Sequence, residues 1–400
     1  MENTILVAND LGYGSVKAVL NGEHVQIPSV TAILRSQDIQ DPVEFPNADQ
    51  KKKYFEDIYN HMDVSIESPA ISEKKRILVG SSAVRSPLSL NRFDVNDLAG
   101  KSEDDLAVIL TLSMIAAKKL KDAYENGEDL SNLTTKVIMT TALPVNEGKQ
   151  NNASNRYKQR YLNGPHKVTF HNFKEEVTVS ISFDKVLVAL EGETAQFYLI
   201  NADQDLKKDL EKNFKDQYGE EISADDLIHS RNVLGIDIGE GTTDIVSIVE
   251  GRANGLASQS LEMGYGNVLQ EALQELQNER INITDRSKLK DFLNSPTNSL
   301  NKNRKKHVKD VVNEQLTPFV NNIVQTTSSV MRKSGVPVEL IYVYGGGSIP
   351  MDKESNLREQ LEKKLKAFSG AYEIPIIWVD SKHAQFMNER GLELILKSLS

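Results

Sequence analysis

A strand–turn–strand pattern that occurs twice constrains the fold of this chain more than any other feature of its sequence. The first copy lies within residues 5–20 and the second within residues 233–248, and each places Asp-x-Gly-x-Gly-Ser/Thr between two apolar runs. Equivalent positions lie 227 residues apart throughout, so that Asp10 corresponds to Asp237 and Lys17 to Asp244. Self-similarity on this scale predicts two related domains, which a length of 400 residues already favours.

The residue types in both turns are suited to holding a polyphosphate. Paired glycines permit a tight turn and leave backbone N–H groups open to a phosphate. A carboxylate beside a triphosphate requires a cation between them, and Mg²⁺ held largely through its own waters is the expected one. We therefore predict metal contacts at Asp10 and Asp237, and cofactor contacts at Asp10, Gly12, Tyr13, Gly14, Ser15, Lys17, Gly239, Glu240, Gly241, Thr242, Thr243 and Asp244.

A single turn of this kind would be interpreted as an ordinary glycine hairpin, but two in register favour a phosphate site. Each turn leads into a second strand, which distinguishes the pattern from the Walker A loop and the dinucleotide fingerprint, where the glycines open a helix. Two further glycine clusters, at residues 263–267 and 344–350, precede helices. Backbone contact with a nucleoside or phosphate is predicted there at Gly264, Gly345, Gly346, Gly347 and Ser348, and an ordinary strand-to-helix turn is the alternative.

Composition excludes several classes of function. The chain has no cysteine, which rules out disulfides, thiolate zinc sites and cysteine nucleophiles and fits a reducing compartment. A net charge of −10 opposes direct binding to nucleic acid, so any link to DNA is expected to require an adaptor. No secretory leader, transmembrane run or metal-binding histidine spacing is recognised, so a cytoplasmic protein without a membrane partner is expected.

Apolar runs that alternate with helical patterns predict an α/β fold. We expect a first domain at residues 1–230 with an inserted subdomain at about 36–76, and a second domain at 231–382 with a helical subdomain at about 267–330. A C-terminal helix at 383–400 is expected to pack back on the first domain. Ser102 and Asp105 predict a capping box for a helix that follows them.

Together these motifs resemble the actin/Hsp70/sugar-kinase superfamily over nearly the whole chain. Within it they are most similar to the ParM/StbA/Alp7A-type plasmid-segregation proteins, on the form of the first turn, on residues 141–145 and 344–350, and on the ending at residues 384–392. The ending departs from the family pattern at Met387 and lacks an aromatic residue after Gly391.

The resemblance implies an actin-like fold of two RNase H-like domains with a nucleotide cleft between them. It also implies a bacterial ATPase that binds ATP (ADP after hydrolysis) with Mg²⁺, polymerises with itself into a cytoskeletal filament and drives plasmid partition. The implied partner is a small DNA-binding adaptor on a plasmid centromere.

Hydrolysis requires a carboxylate or amide that orients the attacking water. The predicted catalytic residues are Glu191, which directly follows a strand, and Asp237. Glu193 is the alternative to Glu191 as the group that orients the water, but a glutamate at that position could simply stabilise the first turn of a helix.

Three other functions use the same fold. A small-molecule (sugar or acid) kinase would need an acceptor pocket, for which no motif is found, and a cell-shape or division actin would need a membrane-binding segment. A chaperone would continue into a peptide-binding domain.

Overall fold

The computed structural model describes residues 4–95, 97, 99–150, 152–368, 370 and 373–399. The chain divides into two compact units, one formed by Met1–Thr194 with Asn388–Ser400 and the other by Ala195–Met387. The chain therefore leaves the first unit after residue 194 and returns to it at residue 388, whereas the sequence placed its domain limits at residues 230 and 382.

Strands and helices alternate as the apolar patterning predicts, and the α/β class is confirmed. In the described residues the strands are β1 (Thr4–Leu11), β2 (Ser15–Leu20), β3 (Glu23–Pro28), β4 (Val30–Ile33), β5 (Asp63–Glu67), β6 (Arg76–Val79), β7 (Asn91–Arg92), β8 (Leu133–Leu143), β9 (His166–Phe170), β10 (Val177–Leu190), β11 (Val233–Ile238), β12 (Thr243–Val249), β13 (Arg252–Ala253), β14 (Gln259–Leu261), β15 (Leu340–Tyr344) and β16 (Ile376–Trp378). The helices are α1 (Ala48–Glu56), α2 (Ser81–Arg85), α3 (Asp105–Glu125), α4 (Val145–Gly148), α5 (Ala153–Leu162), α6 (Glu193–Ile200), α7 (Gln204–Tyr218), α8 (Ala224–Ile228), α9 (Tyr265–Asn278), α10 (Arg286–Asn294), α11 (Lys302–Glu314), α12 (Leu316–Ser334), α13 (Ser348–Glu354), α14 (Leu357–Lys366), α15 (Ser381–Ala384) and α16 (Met387–Leu399).

The first unit is built on a mixed sheet whose described strands follow the order β3-β2-β1-β8-β10-β9-β5-β6-β4-β7. Strand β1 pairs antiparallel with β2 and parallel with β8, and β8 pairs parallel with β10. Helix α3 buries apolar side chains from Leu106 to Leu120 in the core of this unit. This arrangement brings the carboxyl ends of β1, β8 and β10 to one edge of the sheet.

The start of α3 differs from the predicted capping box. The N-cap is Asp104, whose carboxylate accepts the backbone N–H of Leu106 at 2.8 Å. Asp105 instead binds Arg160 at 2.7 Å, and the backbone N–H of Ser102 donates to Glu147 at 2.6 Å. The predicted box was wrong because three acidic residues in succession offer competing caps, and tertiary partners decide among them.

Helix α16 returns to the first unit and covers one face of its sheet. Leu392 and Leu396 pack in a buried cluster with Ala8, Val19 and Ala142. The Thr140 hydroxyl donates to the carbonyl of Leu392 at 3.0 Å.

The second unit has its own sheet, in the order β13-β12-β11-β15-β16 for the described strands, with β14 also paired to β12. Strand β11 pairs antiparallel with β12 and parallel with β15, which is the relation of β1 to β2 and β8 in the first unit. Apolar residues of α9, α12 and α14 pack on this sheet. The sequence repeat is therefore also a repeat of strand pairing. None of the described helices is both long and apolar enough to cross a membrane.

Candidate functional site

The first glycine turn connects β1 to β2 and places a buried carboxylate at the end of β1. Asp10 is 5% exposed and lies opposite Lys17 in the strand register, with 3.3 Å between Lys17 Nζ and Asp10 Oδ2. The backbone N–H of Gly12 donates to the carbonyl of Ser15 at 3.2 Å, and a Cβ at position 12 would lie 2.8 Å from that oxygen. The turn is therefore too tight for any residue but glycine at this position.

The second turn, between β11 and β12, repeats this geometry. The N–H of Gly239 donates to the carbonyl of Thr242 at 2.9 Å, and a Cβ at position 239 would lie 3.0 Å from the same oxygen. Asp237 lies opposite Asp244 in the register, and both carboxylates are buried. The Asp244 carboxylate accepts hydrogen bonds from the hydroxyls of Thr242 and Ser260.

Two carboxylates in one cross-strand pair repel each other, and burial increases that cost. A cation beside Asp237 would relieve the repulsion, and carboxylate oxygens are the donors that Mg²⁺ prefers. The donor chemistry of Asp10 and Asp237, each buried at the end of its own strand, therefore fits the magnesium expected from the sequence.

Both additional glycine clusters lie against the second turn. Gly264 contacts its backbone, since a Cβ there would lie 2.5 Å from the carbonyl oxygen of Glu240. The N–H of Gly347 donates to the carbonyl of Ile238 at 2.7 Å. Three segments distant in sequence thus pack backbone against backbone around one point in the second unit.

Gly345 is the most constrained of these glycines. Its φ is +90°, and a Cβ would lie 2.2 Å from Asp237 Oδ1. Any side chain here would displace the Asp237 carboxylate.

Two other predicted residues of the second unit use their side chains within the protein. Thr243 and Ser348 are fully buried, and their hydroxyls donate to the carbonyls of Met263 and Gly345, both at 2.8 Å. These two side chains shape the turns, so contact with a ligand would come from the adjoining backbone.

Glu191 lies directly after β10 and is 8% exposed. Its backbone N–H donates to the carbonyl of Leu143 at 2.8 Å. Its carboxylate forms an ion pair with Lys101, with 2.8 Å between Nζ and Oε1. The Lys101 ammonium also donates to the carbonyl of Leu11, the last residue of β1, at 2.8 Å.

Sequence reasoning missed Lys101. The residue lies between Gly100 and Ser102 in a polar segment, and no spacing or periodicity marks it. Its side chain is 2% exposed, and its ammonium lies 4.8 Å from the centre of the Tyr13 ring. Burial alone would lower the pKa of Lys101, but the negative charge of Glu191, with Tyr13 and Glu147, raises that pKa above its ordinary value.

Glu193, the competing carboxylate, has a different environment. It begins helix α6 and is half-buried, and burial raises the pKa of its carboxyl, against a smaller opposing effect of Lys149. A raised pKa makes Glu193 the stronger proton acceptor, whereas Glu191 is paired with a buried lysine.

The ending of the chain fixes this segment. The Asn388 side-chain oxygen accepts the N–H of Gly192 at 3.2 Å and the hydroxyl of Thr194 at 2.7 Å. Gly391 lets helix α16 approach closely, since a Cβ there would lie 1.8 Å from the carbonyl of Thr194. The motif at residues 384–392 therefore positions the loop that contains Glu191.

Two family models match the sequence, and both describe actin-like proteins. The model for the N-terminal domain of actin-like proteins matches residues 8–193, and the model for the C-terminal part of archaeal MreB-like actin homologues matches residues 235–358. Each match covers one of the two glycine turns. The chain belongs to the actin-like proteins.

Solved structures of actin-like proteins share the fold over almost the full length. Alp7A superposes with a TM-score of 0.70 at 16% identity, covering 99% of this chain and 97% of that one. A non-polymerisable quadruple mutant of pCBH ParM gives 0.59 at 17% identity over 99% and 100% of the two chains. ParM of Bacillus thuringiensis with ATP gives 0.57 at 14% identity over 100% of both. Comparison with the curated proteins gives no match.

Proposed function

We propose that this protein binds and hydrolyses ATP, polymerises with itself and uses the filament to segregate plasmid DNA in the bacterial cytoplasm. The observation that carries the proposal is the pair of equivalent hairpins, each with a buried carboxylate at the end of its first strand and the same turn hydrogen bond. The related ParM of Bacillus thuringiensis has been solved with AMPPNP, ADP and ATP, which supports nucleotide as the ligand of these turns.

In this proposal phosphate oxygens bind backbone N–H groups of both turns other than those of Gly12 and Gly239, which donate within the turns, and Lys17 adds a positive charge. Asp10 and Asp237 would hold Mg²⁺, which would neutralise charge on the polyphosphate. The glycine clusters at Gly264 and Gly345 to Gly347 admit the nucleoside close to the backbone of the second unit. Glu191 or Glu193 orients the attacking water.

Phosphate release tests the enzymatic part. We expect Mg²⁺-dependent release from ATP without any added acceptor, and a loss of about tenfold or more in Asp237→Asn because one metal carboxylate is removed. Asp216→Asn, an exposed carboxylate of the same unit, is the matched control. Release that appears only with a sugar or acid acceptor would support a kinase instead.

The water-orienting carboxylate is assigned by comparing Glu191→Gln with Glu193→Gln. Removing the correct group lowers kcat by about a hundredfold or more, while affinity for a fluorescent ATP analogue stays within about threefold. Equal, small effects in both variants would remove these residues from the mechanism.

Polymerisation and segregation need their own tests. Light scattering should rise when MgATP is added, and electron microscopy with AMPPNP should show filaments. Loss of an unstable plasmid should fall when the gene and its flanking DNA are supplied together, and the Asp237→Asn gene should abolish this effect. Filaments without any effect on plasmid retention would favour another cytoskeletal role.

A further inference from the structure

Lys101 is a buried cation that the proposed mechanism does not yet use. Its ammonium makes two hydrogen bonds of 2.8 Å, one to the carboxylate of Glu191 and one to the carbonyl of Leu11. These two partners follow different strands, because Leu11 ends β1 and Glu191 follows β10. One side chain therefore joins the start of the first glycine turn to the loop of the candidate catalytic carboxylate.

The surroundings of Lys101 hold it in this position. The backbone N–H of Ser102 donates to Glu147 at 2.6 Å, which anchors the segment immediately after the lysine. Tyr13, in the glycine turn itself, covers the ammonium with its ring at 4.8 Å. Both ends of the contact are largely buried, with side-chain exposures of 2% for Lys101 and 11% for Glu191, so that solvent competes little for this pair.

We propose that Lys101 is the positioning residue of the hydrolytic site: it fixes the Glu191 carboxylate relative to the first phosphate turn and supplies the positive charge beside it. The inference rests on the proposed ATPase function. A structural ion pair would only add stability, whereas a positioning residue also sets the charge and place of the group that orients water.

A structural ion pair and a positioning residue predict different pH dependences of kcat once Lys101 is removed. Removing Lys101 takes a positive charge from a buried carboxylate, which raises the pKa of that carboxylate. Tyr13 and Glu147, which also face Lys101, supply no positive charge in its place. The acid limb of the kcat profile would then move to higher pH.

The test compares Lys101→Met, Glu191→Gln and the double variant with wild type. We expect Lys101→Met to lower kcat about tenfold or more with nucleotide affinity within about threefold, and to shift the acid limb upward by about one unit or more. The double variant should be no slower than the slower single variant, because the two side chains act as one unit. Lys119→Met, which removes another largely buried lysine from an ion pair with Glu128, is the matched control and should keep the wild-type profile.

Two results would overturn the inference. One is a Lys101→Met protein with the kcat and acid limb of wild type, and the other is a double variant in which the two losses multiply. If Lys101→Met does not fold, Glu191→Gln and the double variant carry the test, since neither buries an unpaired carboxylate; a double variant slower than Glu191→Gln alone overturns the proposal. Absence of hydrolysis in the wild type would refute the proposed function itself, which is a separate outcome.

Discussion

At the scale of single residues, three glycines determine whether the turns of the candidate site can form. Gly12, Gly239 and Gly345 each lie where a Cβ would meet a backbone or carboxylate oxygen at 3.0 Å or less. The structural role of Gly12 and Gly239 could be predicted from the sequence because their pattern occurs twice. The role of Lys101 could not be predicted, because an ion pair between residues 90 positions apart leaves no local pattern.

Gly345→Ala is predicted to destabilise the second unit by about 2–4 kcal/mol and to weaken nucleotide binding. The methyl group would meet Asp237 Oδ1 in left-handed backbone that alanine disfavours. Thermal unfolding and titration with a fluorescent ATP analogue measure the two effects. Gly346→Ala is the control for stability, since its Cβ would meet only Gln385 Cβ at 3.8 Å. Equal unfolding temperatures for the two variants would contradict the steric argument.

Glu389 is predicted to make stability depend on pH. Burial raises the pKa of its carboxyl, although the nearby His24 and Arg390 oppose the shift, and Oε2 has no hydrogen-bond partner within the described part of the chain. A raised pKa means that the folded state disfavours the ion, so stability falls as pH rises through the folded pKa.

Glu389→Gln removes this cost while keeping an oxygen for His24. The variant should unfold about 2–4 °C above wild type at pH 8, with the gap closing toward pH 5. Scanning calorimetry across this range is the measurement. A gap that widens as pH falls would show that the ion pair with His24 outweighs burial.

At the element scale, the sequence predicts strand order around the turns better than it predicts element limits. The alternation of apolar residues between 166 and 183 is typical of a hairpin, and β9 pairs antiparallel with β10. The same pattern does not indicate that β10 continues to Leu190 through an irregularity between Phe183 and Lys185, because pairing with β8 maintains the strand there. Tertiary pairing, which local patterns do not encode, sets such limits.

Gly391→Ala tests the contact between helix α16 and the Glu191 loop. Inside a helix, glycine to alanine normally stabilises by about 1 kcal/mol. Here the sign should reverse to a loss of about 1–3 kcal/mol, because the methyl group would overlap the carbonyl of Thr194. Ser398→Ala, on the same helix, should leave the unfolding temperature within about 1 °C of wild type. A more stable Gly391→Ala protein would refute the contact.

At the scale of the whole molecule, the internal repeat and the net charge are the sequence features with the clearest consequences. The repeat predicted two related domains, and the two sheets share the local order around β1 and β11. The net charge of −10 makes every pair of copies repel at long range. The surfaces that would bind a partner, such as the proposed DNA-binding adaptor, cannot be identified from a single sequence.

Salt is therefore predicted to promote self-assembly. Raising KCl from 20 to 150 mM shortens the screening length to about 8 Å and weakens the repulsion. The critical concentration for MgATP-dependent polymerisation, measured by sedimentation, should fall over this range. A rise would show that attractive charge pairs between subunits outweigh the net repulsion.

The return of the chain to the first unit at Asn388 has a consequence for biosynthesis. A ribosome that has made residues 1–194 has not yet made the asparagine that binds Gly192 and Thr194. The nascent first unit therefore lacks the Asn388 contacts of its candidate catalytic loop until about 190 more residues have been translated. The candidate catalytic loop can therefore reach its final contacts only late in translation.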